Sequence, residues 1–95
     1  EAMDAPTAHR FGLINRHVSN DELDNTVMHF AKLIVSKSAY TVRIGKEAFY
    51  RQMDMNLNDA YEMASEVMVE NMLAADAQEG MTAFIEKREP VWSDN

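Results

Sequence analysis

The sequence predicts an all-α domain, on three observations. Its 95 residues include only 3 glycines and 2 prolines, so few positions interrupt regular structure. Apolar residues recur at intervals of three and four along the segments that follow residue 19. Extended, partly β-branched character is confined to one short segment near residues 13–18, and a single strand cannot make a sheet by itself. Three to four main helices are expected.

The elements follow in order. Residues 4–12 predict a short helix with Asp4 as N-cap, Pro6 in the first turn and Gly12 as its stop. Residues 13–18 predict a strand-like connector that pairs outside the chain or runs as a loop. Ser19 and Glu22 fit a capping box. Behind them Leu23, Val27, Phe30, Ala31 and Ile34 mark a helix ending near Ser36 to Ser38.

A second long helix is predicted over 39–52, with Val42, Ala48 and Phe49 on its apolar side. Gly45 inside it costs about 1 kcal/mol relative to alanine and points to close backbone packing. Asn56 to Asp59 open the longest helix, running to about Ala74. Tyr61, Ala64, Met68 and Met72 form its stripe, and Ala60, Met63 and Val67 widen it. So broad an apolar face predicts contact on more than one side. A last helical unit is expected over 76–87, broken near Gly80 and ended by Pro90.

Composition bounds the function. The net charge of -7 disfavours nucleic acid and anionic lipid as partners. No apolar run approaches membrane-spanning length. The chain has no cysteine, which excludes disulfides and thiolate metal sites. Eight methionines suit helix-helix packing and adaptable interfaces. Charge is segregated: residues 32–51 hold five basic groups and one acid, while residues 52–86 hold eight acids and no Lys or Arg. Complementary helix faces with a solvated acidic side are the simplest account.

Groups for catalysis are missing. Glu62, Glu66 and Glu70 share a helix face, but no histidine lies beyond residue 29 to complete a bundle metal site. A solvated or salt-bridged face is expected, with no metal. His9, His17 and His29 lack the spacing of a helical metal pair, and no serine sits in a nucleophile elbow. The three glycines lie too far apart to cradle a phosphate. Near the C-terminus, Phe84 and Lys87 are three residues apart and would share a helical face. An aromatic plane beside a cation suits a nucleotide base and its phosphate. On spacing alone, the simpler reading puts Phe84 in the core and Lys87 in solvent.

Three segments together resemble the C-terminal part of the crotonase family, the enoyl-CoA hydratases and isomerases. Residues 4–18 are similar to the family's Ala-x-x-Ala-x-x-x-Gly-Leu-Val-Asn-x-Val segment. Lys37-Ser38 and Lys46-Glu47-Ala48 resemble its Lys-Ser-x-x-Ala-x-x-x-x-Lys pattern. Residues 76–90 resemble its Asp-x-x-Glu-Gly-x-x-Ala-Phe-x-Glu-Lys-Arg-x-Pro ending. The order is kept and nearly the whole chain is covered. The sequence departs at Ala39-Tyr40, where the family commonly has Pro and a small aliphatic residue.

The resemblance implies that residues 1–95 are a C-terminal helical lid and oligomerisation domain of the crotonase fold. It implies an upstream catalytic core whose two backbone amides stabilise an enolate, so that the parent hydrates or isomerises 2-enoyl-CoA thioesters. Glu1 then corresponds to no catalytic glutamate, and the 95 residues alone are expected to be inactive. Phe84 and Lys87 match positions that contact CoA adenine and phosphate in some members. No cofactor is implied, since acyl-CoA is the parent's substrate. Expected partners are the N-terminal core and further copies in a trimer or dimer of trimers, with the isolated chain self-associating. The expected location is cytoplasmic, or the mitochondrial matrix in a eukaryote. A stand-alone acidic helical interaction module with no enzymatic parent is the alternative, and the coding sequence upstream of Glu1 discriminates between them.

Overall fold

The structure, a computed structural model, describes residues 2–95. It contains α1 (Ala5–Arg10), α2 (Leu23–Val35), α3 (Ala39–Gln52), α4 (Leu57–Leu73) and α5 (Ala75–Glu86), with a 3-10 turn at Asn20–Glu22 ahead of α2. No strand occurs among the described residues. The chain divides into two compact units, one within Glu1–Ile34 and one, Val35–Asn95.

In the first unit the expected caps form around α1. Asp4 accepts the Thr7 amide at 2.9 Å. Gly12, at φ +78°, lets the Leu13 amide reach the Ala8 carbonyl (2.9 Å) while its own amide reaches His9 (3.0 Å). This paired closure satisfies carbonyls that the helix end leaves open. Residues 13–18 run as bends and loop, the second of the two expected outcomes. The capping box at Ser19 does not form. Its side chain caps nothing; instead its backbone carbonyl takes the Glu22 amide at 3.0 Å. A tight backbone turn thus replaces the side-chain cap. α2 ends at Val35, one residue short of the predicted range, and none of its residues is buried.

In the second unit α3, α4 and α5 pack against one another. The predicted bounds of α3 hold, with the Ser38 hydroxyl accepting the Thr41 amide at 3.3 Å. Its buried residue is Ile44, at 8% exposure, whereas Phe49 stays more than half exposed. Five residues at 100° each put Phe49 about 140° around the helix from Ile44. α4 starts with a reciprocal cap: the Asp59 amide donates to Asn56 and the Asn56 amide group donates to Asp59, both at 2.9 Å. Met63 is buried, with Ala60, Val67 and Asn71 partly covered on the same line. The expected stripe of Tyr61, Met68 and Met72 is the neighbouring line, and it is exposed. Among the described residues, one of the two apolar lines of α4 is covered and the other is exposed.

Two glycine expectations are corrected. α5 runs unbroken through Gly80. A Cβ there would stand 3.4 Å from Trp92 Cη2, so the glycine seats an indole. Gly45 is not packed closely, since a Cβ built on it meets nothing within 4 Å. It lines an open groove between α3 and α4.

Candidate functional site

The site candidates lie where α5 gives way to the C-terminal tail. Phe84, in the last turn, is 84% exposed, and Ile85 beside it is 77% exposed. Within this chain Phe84 is therefore not a core residue. Lys87 follows the helix in the left-handed region, at φ 55° and ψ 43°. Its amide donates to the Phe84 carbonyl at 3.3 Å, and the Arg88 amide donates to the Ala83 carbonyl at 3.0 Å. This is the closure that Gly12 makes on α1, built here on a lysine. A side chain in that conformation costs about 1 kcal/mol relative to glycine. Lys87 also leaves helical geometry at this step, so the shared-face spacing with Phe84 ends at Glu86.

The two adjacent cations have different fates. Arg88 grips Glu79 through two parallel bonds, Nη1 to Oε1 at 2.6 Å and Nη2 to Oε2 at 3.1 Å. Its Nε donates to Glu86 at 2.6 Å. Glu79 also accepts the Val91 amide at 2.9 Å. The Arg88 bonds, seconded by the Val91 amide, pull the Glu79 carboxyl down to about 2. Lys87 has no ion pair among the described residues, so its charge faces solvent.

The Glu79 contact has a pH signature. A carboxylate with a lowered folded-state value stabilises fully above its unfolded value and loses that contribution as acid protonates it. The stability difference between the parent chain and Glu79→Gln should be complete above about pH 4.5 and vanish as pH falls toward about 2. Urea midpoints of both chains across that window check this.

A second constellation was missed at the sequence level. Asp76 is 1% exposed and is the hub of the tail. Its Oδ1 accepts the Ser93 amide (2.8 Å) and hydroxyl (3.1 Å). Its Oδ2 accepts the Asp94 amide at 3.0 Å and the buried Ser38 hydroxyl. The Asp76 amide donates to the Asn95 carbonyl at 2.8 Å, and Asp94 accepts the Ala39 amide at 2.9 Å. Burial pushes the Asp76 carboxyl up, but the hydrogen bonds from Ser38, Ser93 and Asp94 outweigh it and hold it below its ordinary value. Trp92 completes the clasp by donating to the Ser36 carbonyl at 2.9 Å. Ser38, Asp76, Glu79 and Arg88 are motif residues, and all four hold the chain together internally. The available signal was Asp76 in the first turn of a helix that lacks a side-chain cap.

The remaining candidates do not assemble into a catalytic site. Glu70 accepts the Tyr40 hydroxyl at 3.3 Å. Glu62 and Glu66 line a shallow concavity with Asp59 and Arg51, a charge complement without a direct ion pair. His9 and His17 come together edge to face, with ring centroids 5.3 Å apart. Among the described residues no three His, Cys, Asp or Glu side chains are placed to hold a metal ion. Glu1 lies outside the described residues. Among the described residues no helix is long and apolar enough to cross a membrane. The groove at Gly45, lined by Thr41, Ile44, Ala48, Ala64, Val67 and Met68, encloses about 190 Å³. Small-molecule pockets start at about 300 Å³, so the groove suits a protruding side chain better than a ligand.

The pattern of the enoyl-CoA hydratase/isomerase family matches residues 1–95. The mouse (Mus musculus) enoyl-CoA hydratase domain-containing protein 3, mitochondrial, is 44% identical over 93 residues, covering 98% of this chain and 31% of its own length. The short-chain-enoyl-CoA hydratase of Clostridium acetobutylicum is 39% identical over 84 residues, covering 88% of this chain and 32% of the relative. The crystal structure of human enoyl coenzyme A hydratase domain-containing protein 3 superposes with a TM-score of 0.88 at 41% identity, covering 95% of this chain and 36% of that one. The chain thus spans about a third of the length of the relatives it matches. With a pattern match over its whole length and a shared helical fold, the chain belongs to the enoyl-CoA hydratase/isomerase family.

Proposed function

We propose that the chain is the C-terminal helical part of an enoyl-CoA hydratase-like enzyme, where it covers the acyl-CoA site and supplies contacts between subunits. The observation that carries this is apolar surface without cover. Compact proteins of this mass expose about 5,500 Å² as one body, or about 6,600 Å² as two separate bodies of the sizes of the two units. This chain exposes 8034 Å². Val35, Leu73, Phe84 and Ile85 are each more than three-quarters exposed, and Tyr61 and Met68 more than half. Surface of that kind fits a segment that completes its core against other parts of an assembly. The partners are the enzyme's own N-terminal core and further copies in a trimer or dimer of trimers.

In this reading the core hydrates or isomerises 2-enoyl-CoA thioesters by holding the enolate in an oxyanion hole. The 95 residues supply no catalytic group. Family membership favours this over a stand-alone acidic interaction module. A mitochondrial location, which the mouse relative's name carries, or a cytoplasmic one fits the reading. Light scattering on the purified chain tests the interface role, since a strict monomer at high concentration contradicts it.

Phe84 and Lys87 are proposed as CoA contacts, with the ring stacking on adenine and the ammonium meeting phosphate. Their exposure at one end of α5, with no ion pair to Lys87 among the described residues, supports this. In the full-length protein, Lys87→Ala should weaken CoA binding about fivefold, or about 1 kcal/mol. Unchanged affinity at low salt contradicts the contact.

A further inference from the structure

The Lys87 turn combines a strained backbone with an unusually well-anchored neighbour. A lysine holds the left-handed position that glycine holds at Gly12. Such a residue persists where its surroundings over-determine it, and ligand clamps are a common place for that. The surroundings here are specific. Arg88, the next residue, is fixed by both oxygens of Glu79 and by Glu86. Glu79 lies two turns back on α5 and also holds the Val91 amide beyond the turn. The same carboxylate therefore grips the chain at Arg88 and again at Val91, with Lys87 immediately before the gripped segment. Phe84 lies ahead of the turn, inside the helix, and its placement does not depend on that grip.

We propose that Glu79 and Arg88 are positioning residues that lock the left-handed turn at Lys87 and so aim its ammonium at the phosphate carried on the ribose of CoA. This rests on the reading of Lys87 as a CoA contact. Arg88, although cationic and adjacent, is not a phosphate ligand in this arrangement, because each of its guanidinium nitrogens already donates to Glu79, Glu86 or the Glu89 carbonyl. Plain electrostatics makes the opposite forecast. Removing the Glu79 charge near an anion site would tighten anion binding, whereas loosening the turn weakens it.

The test uses the full-length protein, with CoA and dephospho-CoA as probes and calorimetric affinities at low salt. Dephospho-CoA lacks the phosphate on the ribose but keeps the adenine. Glu79→Gln should weaken CoA about fivefold and change dephospho-CoA less than twofold. Arg88→Lys keeps the net charge but loses the two-pronged grip, so it should do the same. It also provides a second route should Glu79→Gln fold poorly by circular dichroism. In a Lys87→Ala background neither substitution should lower CoA affinity further. Unchanged or tighter CoA binding in Glu79→Gln, while Lys87→Ala weakens it, overturns the positioning role and leaves the CoA contact standing. Equal loss for both probes overturns it as well, by pointing to general damage. No effect of Lys87→Ala itself removes the CoA contact and the positioning role together.

Discussion

Trp92→Ala lowers the stability of the chain by about 2–3 kcal/mol, read as a fall in urea midpoint at constant slope. Complete burial of a tryptophan is worth more, but Trp92 is only partly covered. Two losses combine. The indole carbons that lie over Gly80 leave a gap that the glycine cannot fill. The Ser36 carbonyl also loses its indole donor at 2.9 Å. Because Ser36 precedes α3 and Gly80 sits in α5, the substitution loosens the link between the start of α3 and the face of α5. A chain that keeps its midpoint within about 0.5 kcal/mol would mean the indole rests on the surface without bearing on it.

Asp76→Ala should be comparably severe, lowering the thermal midpoint by about 10 °C. The physical reason is asymmetry. A hydrogen bond contributes modestly when made, but a buried group stripped of its partner carries its full desolvation cost. Asp76 receives donors from Ser38, Ser93 and Asp94, so alanine orphans several at once. Asp76→Asn should recover only part of the loss, because one carboxylate oxygen becomes a donor facing donors. The chain has a single tryptophan, so tail release is directly visible as a red shift in its fluorescence. Retained amide protection at Ser93 and Asp94 in the alanine variant would contradict the hub. The acid response has the same sign as that of Glu79. The Asp76 carboxyl is held below its ordinary 3.8, so its contribution is present above that value and is lost as pH falls through the folded-state value.

Much of the fold was legible because helix ends are written locally. Asp4, Gly12, Ser38 and Asn56 each satisfy backbone groups within three or four residues, and each acts as its residue type suggests. The failures share a different cause. The sequence pattern puts Phe49, not Ile44, on the covered side of α3; both are apolar, and only the direction of α4 and α5 decides which side is covered. In α4 two adjacent lines carry equal apolar character, and packing used the one through Met63. Gly80 reads as a helix breaker unless the chain twelve residues later is known to return over it.

The candidate site divides in the same way. Phe84 and Lys87 were found through a motif, and the structure places both at the surface at the end of α5. Asp76, Glu79, Arg88 and Ser38 stood in the same motifs but could not be assigned a role. Asp76 and Ser38 are 38 positions apart, and neither residue type announces burial.

By itself the sequence determined the all-helical class, the bounds of α3, α4 and α5 to within a residue, and the family, because these depend on local capping, periodicity and ordered motifs. The tertiary structure alone decided which apolar line is covered, that the tail is clasped to Asp76, and that Arg88 is engaged while Lys87 makes no ion pair among the described residues. Those outcomes depend on which faces meet, and that is a property of distant segments brought together, not of any one segment's composition.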